Sequence, residues 1–191
     1  MKQLWMLVGG NGSGKTTFYE QVLRPLGMPF INADNIAKDV YPDNPEKNSY
    51  NAAKLAETLR AKQLQTGNSF CFETVFSHPS KVDFIAQAKA LGYEIILVVI
   101  HVNNINLNMA RVLNRVENGG HNVPLDKIES RIPRTLNNIK LAIELCDQVR
   151  VFDNSYLDNP FQPVITIKQG ATHKHISPLP DWAAALISEP N

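Results

Sequence analysis

A run from Gln3 to Val8, apolar from Leu4 onward, opens directly into Gly9-Gly10-Asn11-Gly12-Ser13-Gly14-Lys15-Thr16. The octet matches the phosphate-binding pattern G-x-x-x-x-G-K-[ST] at every fixed position, and it stands in the order strand, loop, helix that gives this motif its meaning. Glycines let the backbone curl so that successive N–H groups face a chain of phosphates, and the helix N-terminus that follows adds the positive end of its dipole. A strand without polar alternation is one covered on both faces, so the fold is constrained from its first residues to a parallel sheet with helices on either side. Gly10, Asn11, Gly12, Ser13, Gly14, Lys15, Thr16 and Thr17 are therefore assigned to a nucleotide. Lys15 is set against the β- and γ-phosphates and the Thr16 hydroxyl on Mg²⁺, making ATP and Mg²⁺ the expected ligands.

The remaining pattern continues the alternation. A helix is expected from Lys15 to Leu23, stopped by Pro25-Leu26-Gly27, then a short strand from Phe30 to Asp34. A helix over Tyr50–Leu64 closed by Gly67, a strand over Ser69–Thr74, a helix over Lys81–Leu91 and a strand over Tyr93–Val102 follow. Ile105, Met109, Val112, Leu113 and Val116 mark one helix face, and Leu125, Ile128, Ile132, Leu136, Ile139 and Ile143 mark a second, longer helix with Pro133 inside it as a kink. Strands at Gln148–Phe152 and Val164–Lys168 complete the pattern. Together these predict an α/β, three-layer P-loop NTPase fold with a mainly parallel central sheet flanked by helices and an arginine-bearing lid. The kinase domain is expected over residues 1–170, with a C-terminal tail over 171–191 that carries a short helix from Trp182 to Ile187.

Composition excludes several function classes. With 191 residues, 19 Lys+Arg and 18 Asp+Glu, the formal net charge is +1, which gives no basic field for nucleic acid. No stretch approaches the roughly 18 apolar residues of a membrane span. The run after Lys2 is too short for the core of a secretory leader and leads straight into the glycine loop. Cys71 and Cys146 sit in apolar segments and read as buried free thiols. Neither nucleic acid nor membrane is expected as a partner, and the cytoplasm is the expected location.

The phosphate loop alone does not separate a switch, a motor and a kinase. In an open parallel sheet ligands lie beyond the carboxyl ends of the strands, where the sequence places Asp34, then Glu73 and Thr74, then Asp153 and Asn154. Glu73 and Asp153 each follow four apolar or small residues and compete for the magnesium-side acid. Asp34 reads equally as a catalytic carboxylate or as the N-cap of a helix beginning Asp34-Asn35-Ile36. Arg111, Arg115, Arg131 and Arg134 flank the loop Asn118–Pro124. That is the arrangement of a closing lid, although a solvated helix face is the ordinary fate of such residues. His121 in that loop has no evident orienting partner. A guanine-reading Asn-Lys-x-Asp segment is absent.

At these residues the chain resembles the zeta-toxin family of P-loop kinases. The similarity rests on G-G-N-G-S-G-K-T-T, I-N-A-D, F-E-T-V-F-S, R-V-x-x-R-V-x-x-G-G-H-x-V-P and D-N-S, in that order, from about Leu4 to Ser155. The resemblance implies ATP-dependent phosphorylation of a sugar hydroxyl, with UDP-N-acetylglucosamine as the substrate of toxin members and an antitoxin protein as their partner. It sets Lys15 on the phosphates, Thr16 on magnesium and Asn154 beside the nucleotide. Asp34 becomes the base that takes the sugar hydroxyl proton, Glu73 and Thr74 fall on the sugar-nucleotide side, and Arg115 and Arg131 meet the transferring phosphate.

Overall fold

In the computed structural model, which describes residues 1–120 and 122–188, β1 (Gln3–Val8) runs between β3 (Phe70–Thr74) and β4 (Glu94–His101), parallel to both. Partners at both edges and helices on both faces explain why every residue from Leu4 to Val8 is buried. Alternate side chains enter opposite cores, as the two-residue period of a strand requires. Leu4, Met6 and Val8 join Phe70, Phe72, Ile95, Leu97 and Val99 on one face, whereas Trp5 and Leu7 join Cys71, Ile96, Val98 and Ile100 on the other.

The first face is covered by α3 (Ser49–Thr66), α4 (Ser80–Ala90), α6 (Leu125–Ala142) and α7 (Asp181–Ile187), through residues such as Ala56, Ile85, Ile139 and Leu186. The second is covered by α1 (Lys15–Phe18) and its continuation, through Phe18, Tyr19 and Leu23. Truncating a wholly buried ring such as Phe72 costs about 3–5 kcal/mol in cores of this kind. The sheet has the order β2-β3-β1-β4-β5-β6-β7. Here β2 is Phe30–Ile31, β5 is Gln148–Asp153, β6 is Gln162–Lys168 and β7 is Ala171–Lys174. The first five in that order are parallel, while β6 and β7 add an antiparallel edge. Strand direction is set by the connection, and the turn between β5 and β6 is too short for a crossover helix. From residue 171 the chain stays continuous with this body, since β7 pairs with β6 and Trp182, Ala183 and Leu186 of α7 enter the main core.

Two expected boundaries move. The second strand stops at Ile31 because the Asn32 side chain accepts from the backbone N–H groups of Asp34 at 2.7 Å and Asn35 at 3.0 Å, capping α2 (Ala33–Val40). Asp34 thus lies in the first turn of a helix, not at the end of a strand, and the cap is Asn32. The helix begun at Lys15 does not stop at Leu23. It widens to a π-helical stretch over Tyr19–Leu23, tightens to a 3₁₀ turn over Arg24–Leu26 and ends at Gly27. Pro25 is tolerated because it stands at the start of that turn.

α5 (Ile105–Glu117) and the first turns of α6 form a small unit with its own apolar cluster of Val112, Val123 and Ile128. α6 continues through Pro133. It is tied to the turn after β3 by Thr135, whose hydroxyl donates to the Val75 carbonyl at 2.8 Å, and by Asn138, whose amide donates to the Phe76 carbonyl at 2.9 Å. His121 lies outside the described residues. Among those residues, no helix is long and apolar enough to cross a membrane.

Candidate active site

The carboxyl ends of the parallel strands share one edge of the sheet, and there a cavity of about 620 Å³ opens. Its wall includes Lys15, Thr16, Asp34, Glu73, Arg115 and Arg131, residues drawn from five separate elements. Thr17, Thr74 and Asn154 also reach it.

The phosphate loop is braced from outside. Asn154 donates through Nδ2 to the Ser13 carbonyl at 2.8 Å and accepts from the Phe161 N–H at 3.2 Å, while Asn108 donates to the Asn11 carbonyl at 2.8 Å. Gly14 has φ +98°, and a Cβ there would sit 2.4 Å from Asn154 Nδ2, so only glycine admits this clamp. At the start of α1 no side chain caps the helix, which leaves its first N–H groups for an anion. Lys15 is buried and donates to the carbonyls of Gly9 at 3.0 Å and Gly10 at 2.9 Å. Burial pushes its ammonium below the ordinary value, opposed by Glu73 and, less strongly, by Asp34, with Arg115 adding to the downward push. An anion at this position would restore the lost charge stabilisation. Gly10 and Ser13 of the loop do not line the cavity, and the Ser13 hydroxyl is buried without a hydrogen-bond partner among the described residues.

Glu73 is the hub of the acidic side. Its Oε2 accepts from the Thr16 hydroxyl at 2.8 Å and its Oε1 from Asn32 Nδ2 at 2.9 Å. The pairing follows from register, since β3 lies directly beside β1 and places Glu73 opposite Leu7. Asp153 is on β5, beyond β4, and its carboxylate is taken up by the Ser155 N–H at 2.8 Å and the Ser155 hydroxyl. Only Glu73 of the two competing acids therefore touches Thr16. The described residues hold no group of three or more His, Cys, Asp and Glu side chains around one point. One hydroxyl and one carboxylate suit Mg²⁺ held jointly with phosphate oxygens and water, the usual manner for this ion.

Across the cavity, the Asp34 carboxylate has no hydrogen-bond or ion-pair partner among the described residues. Thr74 is occupied on its hydroxyl by the Phe76 N–H at 3.1 Å, which steadies a turn where Phe76 has φ 66°. Arg131 donates to the Asn11 side chain at 3.3 Å. Gly119 and Gly120 end α5, and the Gly120 N–H returns to the Arg115 carbonyl at 2.8 Å. A Cβ on Gly120 would lie 2.5 Å from Arg115 Cγ, so the loop is folded against that stem. Arg111 also lines the cavity, whereas Arg134 does not and bonds its own helix at the Ser130 carbonyl.

Residues 4–134 match the family model described as AAA domain. The chain belongs to the AAA domain family. The AAA domain match runs from β1 past Arg131, so the phosphate loop, Asp34, Glu73, Arg115 and Arg131 fall inside it, and Asn154 falls beyond it. An uncharacterized protein of Haemophilus influenzae is 29% identical to this AAA domain protein over 140 residues, covering 68% of this chain and 97% of that one. Among solved structures, the AvrRxo1-ORF1:-ORF2 complex with ATP aligns with TM-score 0.73 at 17% identity, over 92% of this chain. This AAA domain chain spans only 61% of the AvrRxo1 chain. A structure from the PezAT chromosomal toxin-antitoxin system of Streptococcus pneumoniae aligns with TM-score 0.64 at 16% identity, over 86% of this chain and 72% of that one. At these identities the likeness is one of fold.

Neither Asn32 nor Asn108 stands out in the sequence as a site residue, although both stand four residues or fewer from a helix start. Nor does the apolar wall beyond β5, where Tyr156, Leu157, Pro160 and Phe161 line the cavity next to Thr17 and Gln21. The only sequence signal for that wall is two aromatics around a proline after the Asp153-Asn154-Ser155 turn.

Proposed function

We propose that this protein is an ATP-dependent small-molecule kinase of the zeta-toxin type, transferring the γ-phosphoryl group to a hydroxyl of a sugar or nucleotide sugar. The observation that carries the reading is the Asp34 carboxylate, unpartnered among the described residues, in the same cavity as Lys15, Glu73, Arg115 and Arg131. A switch protein needs no free acid at this place; a kinase needs one beside the acceptor hydroxyl.

In this reading the loop N–H groups and Lys15 hold the β- and γ-phosphates, and Tyr156, Pro160 and Phe161 offer apolar surface to the base. Thr16 and Glu73 would hold Mg²⁺, which when bound neutralises phosphate charge. Asp34 accepts the hydroxyl proton as the acceptor oxygen bonds to phosphorus and the bond from phosphorus to the β-phosphate oxygen breaks, releasing ADP. Arg115 and Arg131 stabilise the charge on the phosphoryl group in passage. Glu73 and Thr74 face the acceptor on its other side. UDP-N-acetylglucosamine is the first acceptor to test, and the ATP-bound AvrRxo1 complex and the PezAT likeness support both an ATP site and an antitoxin partner.

The direct test is incubation with ATP, Mg²⁺ and a panel of sugars, nucleosides and nucleotide sugars, read by mass. A gain of one phosphoryl group on one class of acceptor, lost by about 10²–10³-fold or more in Lys15→Ala, is the expected result. ATP turnover at the wild-type rate in Lys15→Ala would refute the reading.

A further inference from the structure

A second cavity, of about 330 Å³, shares Ala33, Glu73 and Thr74 with the first and takes its other walls from α3 and the start of α4. From α3 come Tyr50, Lys54, Glu57 and Arg60, whose spacing of three and four residues aligns them on one helix face. From α4 comes Lys81. Three cations thus stand against Glu57 and the shared Glu73, an excess of positive charge in a protein whose formal net charge is only +1.

Among the described residues, none of these cations closes an ion pair. The ion pairs of the described residues are Arg24 with Glu20 and Lys89 with Asp147, so neither Arg60 nor Lys81 is in one. Arg60 lies with its guanidinium carbon 5.0 Å from the centre of the buried Phe72 ring, and Lys54 sits 4.7 Å from the centre of the Tyr50 ring. Arg60 and Lys81 are half-buried. Burial holds both below their ordinary values, Arg60 depresses Lys81 further, and Glu57 opposes both shifts. Lys81 also occupies the first turn of α4, the end of a helix where the dipole disfavours a cation. Desolvation, mutual repulsion and an adverse helix dipole all act in one cavity, and a bound anion relieves all three.

We propose that this second cavity is the anion-binding half of the acceptor site, and that the hydroxyl compound phosphorylated here itself carries a phosphate or diphosphate group held by Arg60 and Lys81. The inference rests on the kinase reading above. Ala33 precedes Asp34 and belongs to both walls, so an acceptor lying across Glu73 and Thr74 would present its hydroxyl to Asp34 and its phosphate to Arg60 and Lys81. A neutral sugar or nucleoside would leave both cations desolvated and unpaired.

Two measurements on the full chain separate this inference from the kinase reading. With the phosphate loop saturated by Mg²⁺ and the non-hydrolysable analogue AMP-PNP, calorimetric titration with inorganic pyrophosphate should reveal one further site. Affinity at that site should fall about tenfold or more in Arg60→Gln/Lys81→Gln. Because the Arg60 stem covers Phe72, Lys81→Gln alone serves as the variant with little folding risk and should show an intermediate loss. In the second measurement, transfer from ATP is compared for uridine with uridine 5′-monophosphate and for glucose with glucose 1-phosphate. The phosphorylated member should be preferred about tenfold, with the preference lost in the double variant. No pyrophosphate binding in wild type, equal binding in the variants, or equal transfer to both members of each pair would overturn the inference. Pyrophosphate binding that the variants lose, with no transfer to any acceptor, would keep the anion cavity and overturn its assignment to a kinase acceptor.

Discussion

The Thr16 hydroxyl donates to Glu73 Oε2 at 2.8 Å, joining the residue that ends the phosphate loop to a carboxylate 57 positions later in the chain. If the pair holds Mg²⁺, Thr16→Ala removes one oxygen ligand and leaves Glu73 anchored by Asn32. The Mg²⁺ concentration for half-maximal turnover should rise about tenfold or more, with the apparent affinity for nucleotide in excess Mg²⁺ changed far less. A magnesium titration that superimposes on wild type would remove Thr16 from the metal.

Asp34→Asn separates charge from shape. Asn32 caps α2, so the substitution leaves the cap intact and forfeits only the favourable interaction of a first-turn carboxylate with the helix dipole, about 0.3–1 kcal/mol. ATP binding should persist while phosphoryl transfer falls by about 10²–10⁴-fold, the range for a lost general base. Equal transfer rates in variant and wild type would show that Asp34 is on the wrong side of the reaction.

Arg115 and Arg131 should matter for turnover more than for ATP affinity, because charge builds on the transferring group only in the transition state. Either alanine variant should lose on the order of 10³-fold in kcat, with KM for ATP within a few-fold of wild type. Weakened ATP binding with unchanged kcat would return the affected arginine to a solvated helix face.

Stability should fall on mild acidification because of His101. This residue ends β4, pairs in register with Asp153 and lies with its ring centre 4.2 Å from that of Trp182 of α7 at a 35° tilt, and burial lowers its imidazole to about 4 despite the Asp153 charge. The folded protein holds it neutral, so its contribution is complete above about 6.5 and is lost progressively down to about 4, where the unfolded chain binds the proton first. Denaturant unfolding should show about 2 kcal/mol lost from this group between pH 7 and pH 5. His101→Phe should flatten that part of the curve, and parallel pH profiles for variant and wild type would contradict it.

The phosphate loop, the α/β class and the two-faced burial of β1 were legible in the chain itself. Each follows from local rules: a fixed glycine spacing, a strand without polar alternation, and helices of matching period. Which of Glu73 and Asp153 lies against Thr16 was not, because both follow similar four-residue runs. Strand order decided it, by putting β3 beside β1 and β4 between β1 and β5. The role of Asn32 was likewise hidden, since an asparagine in an apolar-to-polar transition fits a strand end and a helix cap equally until the Asp34 and Asn35 N–H groups are placed around it. The place of Lys15 in the glycine loop was legible but its burial was not, and the antiparallel β6 and β7 left no mark of direction in their composition. What the chain determines alone is whatever depends on neighbours a few residues apart. Which carboxylate meets Thr16, and which cations share a cavity, depend on residues about 20 to 60 positions apart that only the packing of the sheet brings together.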